Sequence, residues 1–131
     1  MPRILIVDDD KTLLSIMSEY LSAYGFELEI AYSASQARHY LERSACDAIL
    51  SDFNMPGESG LDLLGHVSNR YPGLPFIMMT GCSTPLLKDT AMKMGISGYV
   101  VKPFRLRDLV GTLQTILDFS NRGQQALAAT A

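Results

Sequence analysis

The sequence predicts an α/β domain with a parallel sheet covered by helices on both faces. Two observations carry this. Five short strand-like runs alternate strictly with five stretches of helical periodicity, a pattern that calls for right-handed crossover connections. The first run, Ile4 to Val7, is apolar without interruption, as in a strand buried on both faces. A third observation gives the domain a working edge. The run Ala48-Ile49-Leu50-Ser51 ends in a lone carboxylate, Asp52, directly before the turn signals Asn54, Pro56 and Gly57. Ligands of open α/β sheets bind at the carboxyl ends of the strands.

In chain order, the first strand, Ile4 to Val7, ends in Asp8-Asp9-Asp10. A helix follows, with Leu13, Leu14, Met17, Leu21 and Tyr24 at helical spacing, Asp10 as N-cap and Gly25 as the stop. Glu27 to Tyr32 read as the second strand, Leu28, Ile30 and Tyr32 alternating with Glu27, Glu29 and Ala31. Ser33 opens a helix to about Ser44 that carries a thinner apolar face. The third strand ends at Asp52, and Gly60 to about Arg70 form the third helix, broken by Tyr71-Pro72-Gly73. Pro75 to Thr80 form the fourth strand, Pro85 to Met94 the fourth helix, and Gly98 to Val101 a short fifth strand ending at Lys102-Pro103. The last helix begins near Arg105 and carries Leu106, Leu109, Val110, Leu113, Ile116 and Leu117 at helical spacing. From Asn121 to Ala131 the spacing is lost. The expected division is one domain over 1–120 and a flexible tail or linker stub over 121–131.

Bulk properties narrow the function. A chain of 131 residues is one domain by the usual length of about 100–200 residues. A net charge of −3 gives no reason to expect direct nucleic-acid binding. Cys46 and Cys82 are too far apart for a CxxC or zinc pair, which favours a reduced, cytoplasmic chain. No apolar run approaches the roughly 18–20 residues of a membrane span, and Met1-Pro2-Arg3 passes straight into the first strand without a leader-like segment. His39 and His66 read as surface residues of helices.

Alternation alone leaves the strand order open. The order 2-1-3-4-5 would bring Asp8 and Asp9, Asp52, Thr80 and Lys102 to one crevice. Three acids together repel and call for a divalent cation, and an all-oxygen donor set favours magnesium, with manganese as the alternative, over zinc. Such a cation beside an amine and a hydroxyl fits phosphoryl transfer to a carboxylate, with Asp52 as nucleophile. Each residue also has a plainer use: helix capping for the first acids, turn formation for Asp52, a solvated cation for Lys102.

Four segments, ILIVDDD, AILSDFNMPG, IMMTG and SGYVVKPF, carry a family resemblance in order and spacing. Over residues 3–120 the chain resembles a response-regulator receiver domain of two-component signalling, of the chemotaxis type. The resemblance implies a flavodoxin-like, doubly wound five-stranded sheet of order 2-1-3-4-5. It implies Asp52 as phosphoacceptor, with Thr80 and Lys102 receiving the phosphoryl group. Asp8, Asp9, Asp52 and the main chain of Asn54 would serve the metal. Thr80 and Tyr99 would be the switch, and Pro103 would carry a cis bond. It implies a sensor histidine kinase or phosphotransfer protein as donor, an unidentified output partner or effector domain, and a homodimer through the fourth helix, fifth strand and fifth helix. Such a domain catalyses only its own phosphorylation and dephosphorylation. Gly81 and Cys82 depart from the residues common in the family, and with Asn54 they would set the phosphoryl lifetime.

Two rivals share parts of this pattern. Asp8, Asp10 and Thr12 also fit the DxDxT motif of haloacid-dehalogenase-type phosphatases, although no later acidic metal motif follows Lys102. An FMN binder would share the sheet order, but three aspartates stand where its phosphate loop should be.

Overall fold

A computed structural model describes residues 1–81 and 85–130, with residues 119–130 as backbone alone. The elements are β1 (Arg3–Val7), α1 (Lys11–Ala23), β2 (Glu27–Ala31), α2 (Ala34–Arg43), β3 (Ala48–Asp52), α3 (Gly60–Arg70), β4 (Phe76–Thr80), α4 (Pro85–Lys93), β5 (Gly98–Val101) and α5 (Leu106–Thr130). All strand pairs are parallel and the order is β2-β1-β3-β4-β5. The three central strands are buried on both faces, and that burial is why they read as continuous apolar runs.

Alternate strand residues feed two cores. Ile4, Ile6, Leu50, Ile77 and Met79 pack with Leu14, Met17 and Leu21 of α1 and Leu109 and Leu113 of α5. Leu5, Val7, Ile49, Phe76 and Met78 pack with Ala37 and Leu41 of α2, Leu63, Leu64 and Val67 of α3 and Ala91 of α4. Helix starts follow the sequence signals. The Asp10 and Ser33 side chains accept from Leu13 N and Gln36 N, and Ser59 and Asp62 form a capping box at α3. No helix among the described residues is long and apolar enough to cross a membrane.

Two local expectations, the buried face of the second strand and the surface placement of His66, read differently in three dimensions. In β2 the deeply buried residue is Ala31, while Ile30 and Tyr32 stay about two-fifths exposed, because β2 is an edge strand that α1 and α2 cover incompletely. Helix α5 runs to Thr130, past residue 121 where the apolar spacing stops. Gln, Ala and Leu there retain helix propensity without an amphipathic stripe. Cys46 is half-buried and burial pushes its thiol up to about 11, which suits an inert thiol; Cys82 lies outside the described residues.

His66 is half-buried rather than a surface residue. Its ring packs edge-on to Tyr71 at 6.1 Å and its Nε2 is buried. Burial, then Arg38 of α2 and Arg70 of α3, lower its pKa against the opposing pull of Glu58 and Glu42. The unfolded chain therefore binds the His66 proton more readily, so stability falls as pH drops below 6.5. Urea titrations between pH 5 and 7 should show this slope in the native chain and a flatter one in His66→Gln. Identical slopes would remove His66 as the cause.

Candidate functional site

The carboxyl ends of β1, β3, β4 and β5 converge because the sheet is parallel and β1 stands between β2 and β3. Asp8 follows β1 directly, and Asp52 and Thr80 are the last residues of β3 and β4. Lys102 follows β5; its N–H donates to the Thr80 carbonyl at 2.7 Å. The Lys102–Pro103 peptide bond is cis.

Asp8, Asp9 and Asp52 each bring a carboxylate oxygen within 4.8 Å of the other two. Asp8 and Asp52 are buried and Asp9 is exposed. Lys102 Nζ lies 2.9 Å from Asp8 Oδ2 and 3.1 Å from Asp52 Oδ1. One ammonium thus faces two buried carboxylates. Burial first, then the Asp8 charge, hold the Asp52 carboxyl above the usual carboxylate range, against Lys102 and the Phe53 N–H. The Lys102 pKa rises: the hydrogen bond to Asp8 and the charges of both acids outweigh the largest single effect, burial, which lowers it. This excess of negative charge, in an all-oxygen donor set, fits a hard divalent cation.

Asp10 does not join the cluster. It is exposed, its carboxylate caps α1 and its own N–H donates to Asp8 Oδ1 at 3.0 Å. The Asp10 carboxylate is thus committed to Leu13 N–H and is not paired with Asp8 as the DxDxT reading would have it. Asn54 is exposed in the loop after β3, two residues beyond Asp52. Thr80 is fully buried. Tyr99, opposite Met78 in the β4–β5 ladder, packs on the α2–α3–α4 core; its hydroxyl is buried and meets no partner among the described residues. A methyl group at Gly81 would meet nothing within 4 Å among the described residues. Two residues that sequence reasoning missed, Ser51 and Gly60, sit directly behind Asp52. The signal available was a hydroxyl in an otherwise apolar strand and a glycine at a helix start.

The family described as response regulator receiver domain matches residues 4–114. The chain is 39% identical over 108 residues to the response regulator protein FleR of Pseudomonas aeruginosa, covering 82% of this chain and 23% of that one. It is 34% identical over 125 residues to the transcriptional regulatory protein CpxR of Klebsiella pneumoniae, covering 95% of this chain and 53% of that one. It thus spans about a quarter to a half of the length of these curated relatives. Among solved structures, a CheY-like receiver domain protein from Methanospirillum hungatei superposes with a TM-score of 0.90 at 31% identity, over 94% of this chain and 98% of that one. The signal receiver domain of an HD domain-containing protein from Pseudomonas fluorescens superposes with a TM-score of 0.87 at 29% identity, over 92% and 98%.

Proposed function

The chain belongs to the response regulator receiver domain family, and from that premise we propose that Asp52 is the phosphoacceptor of a two-component phosphorelay. The observation that carries the proposal is the sharing of Lys102 between Asp8 and Asp52, with Asp9 completing the acidic group.

In the forward step an Asp52 carboxylate oxygen attacks the phosphorus of a phosphohistidine on a sensor kinase or phosphotransfer protein. The O–P bond forms as the P–N bond breaks, and the departing imidazole nitrogen keeps the bond pair and takes a proton. In the reverse sense, water attacks phosphorus, the O–P bond to Asp52 breaks, and inorganic phosphate leaves. Asp52 must be ionised for the first step, and Lys102 favours that form. The ammonium is placed to pair with phosphoryl oxygens arriving at Asp52. Asp8, Asp9, Asp52 and the main-chain carbonyl of Asn54 would hold magnesium, or manganese, which when bound supplies positive charge to the phosphoryl oxygens.

Thr80 and Tyr99 are proposed as the switch, Thr80 moving to the phosphoryl group and Tyr99 into the space it leaves. Leu86, Met92 and Val101 are exposed on α4 and β5, and that face with α5 is proposed to bind the output partner or a second copy of the chain. An apolar groove of about 480 Å³, lined by Leu13, Ile16, Lys102, Pro103, Phe104 and Leu106, is proposed to receive the donor protein. The domain, over 1–120, is proposed to catalyse only its own modification, in the cytoplasm, with 121–131 as a flexible tail or linker stub. The lack of a side chain at Gly81 is proposed to ease the approach of small donors and attacking water.

Incubation with acetyl phosphate and magnesium, followed by intact mass spectrometry, tests the reading. The native chain should gain one phosphoryl mass, and Asp52→Asn or added chelator should abolish it. No gain in the native chain, or an equal gain in the variant, would overturn the proposal.

A further inference from the structure

We propose that Ser51 and Gly60 are positioning residues that clamp the main-chain carbonyl of Asp52 and so set where its carboxylate stands. Ser51 is fully buried. Strand alternation turns it to the face shared with Val7 and Met78, its ladder partners in β1 and β4. The buried strand residues packed around it in that core, Leu5, Val7, Ile49, Phe76 and Met78, are apolar. A hydroxyl adds nothing to that core and must find a partner. Ser51 Oγ donates to the Asp52 carbonyl at 3.0 Å.

Gly60 closes the same carbonyl from the other side. It is the first residue of α3 and its N–H donates to the Phe53 carbonyl at 2.8 Å. A Cβ on Gly60 would overlap the Asp52 carbonyl oxygen and would lie 2.9 Å from Phe53 Cα and 3.0 Å from Met78 Sδ. Two of these three neighbours are main-chain atoms, which have no rotamer to relieve the clash. The absent side chain therefore lets the start of α3 seat directly on the two peptide units that follow β3. Asp52 Cα lies within this seat, and its carboxylate must stay near 3.1 Å from Lys102 while sharing it with Asp8. Displacing the backbone moves the nucleophile, and misplacement by about 1 Å can lower a rate by about 100-fold.

The inference rests on the phosphoacceptor reading of Asp52, and the test separates the two. Ser51→Ala, Gly60→Ala and, as a control for a glycine in the same helix, Gly65→Ala are made in the full chain. A methyl at Gly65 meets only Met94 Cε at 3.5 Å. Initial rates of phosphoryl uptake from acetyl phosphate at saturating magnesium are measured at a temperature where circular dichroism shows each variant folded. Magnesium affinity is measured by calorimetry. The clamp predicts a fall of about tenfold or more in Gly60→Ala, about threefold in Ser51→Ala, and less than about twofold in Gly65→Ala. Met78→Leu added to Gly60→Ala should not restore the rate, because the overlap is with main chain. A purely structural role would lower the melting temperature while leaving folded-state rate and magnesium affinity as in the native chain, and that result would overturn the proposal. Should Gly60→Ala not fold, Ser51→Ala decides alone, an unchanged rate counting against the clamp. Should the native chain take up no phosphoryl group, the phosphoacceptor reading fails. Weaker magnesium binding in both clamp variants would then still support the clamp, and unchanged binding would overturn it.

Discussion

Lys102→Met should destabilise the metal-free chain by about 3 kcal/mol at pH 7, the scale on which a buried ion pair loses one partner. The native ammonium sits within 3.1 Å of both Asp8 and Asp52. Asp8 is 1% exposed and Asp52 7%, so solvent screens the pair only weakly. A methionine keeps the aliphatic volume and removes the charge, leaving two carboxylates facing each other. The sign follows from Lys102 itself. Its raised pKa means that the stabilisation is complete below 10.5 and is lost only as pH rises through the folded value. The midpoint in a chelator-containing thermal melt should fall by roughly 10 °C. Magnesium should recover most of the loss, because a divalent ion can neutralise the same carboxylates. An unchanged midpoint, or a loss indifferent to magnesium, would show that Lys102 is not the counter-charge of this site.

Asp52→Asn should move stability in opposite directions with and without metal. Burial and the Asp8 charge raise the Asp52 pKa, so folding favours its protonated form. The favourable contribution is present below 3.8 and is lost as pH rises through the folded pKa, leaving a net cost at pH 7. Asparagine stays neutral throughout and should raise the melting temperature in chelator by a few degrees. In magnesium the order should invert. A ligand at 100 times its dissociation constant stabilises by about 2.7 kcal/mol, and the variant lacks one of the three acids that would hold the ion. Melts of both chains in chelator and in magnesium test this crossing. Parallel shifts would remove Asp52 from the metal site.

These two residues also mark how far linear reading reaches. Asp8, Asp9, Asp52, Thr80 and Lys102 were legible as candidates because they lie at or just past strand ends, and the family resemblance supplied the strand order that gathers them. Asp10 could be assigned to capping, and it is the N-cap of α1. Ser51 gave no such signal, since one hydroxyl in a strand has many uses; its meaning comes from the Asp52 carbonyl beside it and the helix start behind it. His66 lacked a partner within its own helix, yet Tyr71 at the end of α3 packs edge-on to it and the charge of Arg38 of α2 reaches it. The exposure of Ile30 and Tyr32 follows from edge position, which β2 acquires only once the strand order is set.

The pattern of apolar runs, caps and breakers was sufficient by itself for five strands, five helices and a parallel sheet, because hydrophobic periodicity and capping are short-range properties of the chain. The strand order that gathers the acids, Thr80 and Lys102, and the role expected of each, came from the resemblance of four segments to receiver domains. Only the tertiary structure decided that one ammonium serves two carboxylates, that Asp8 and Asp52 are buried while Asp9 is not, and that Asp52 is seated on Gly60. Those outcomes depend on distances between residues far apart in sequence. They are set by how closely α3 seats on the end of β3 and by where β5, across β4, brings Lys102, and no local pattern encodes either.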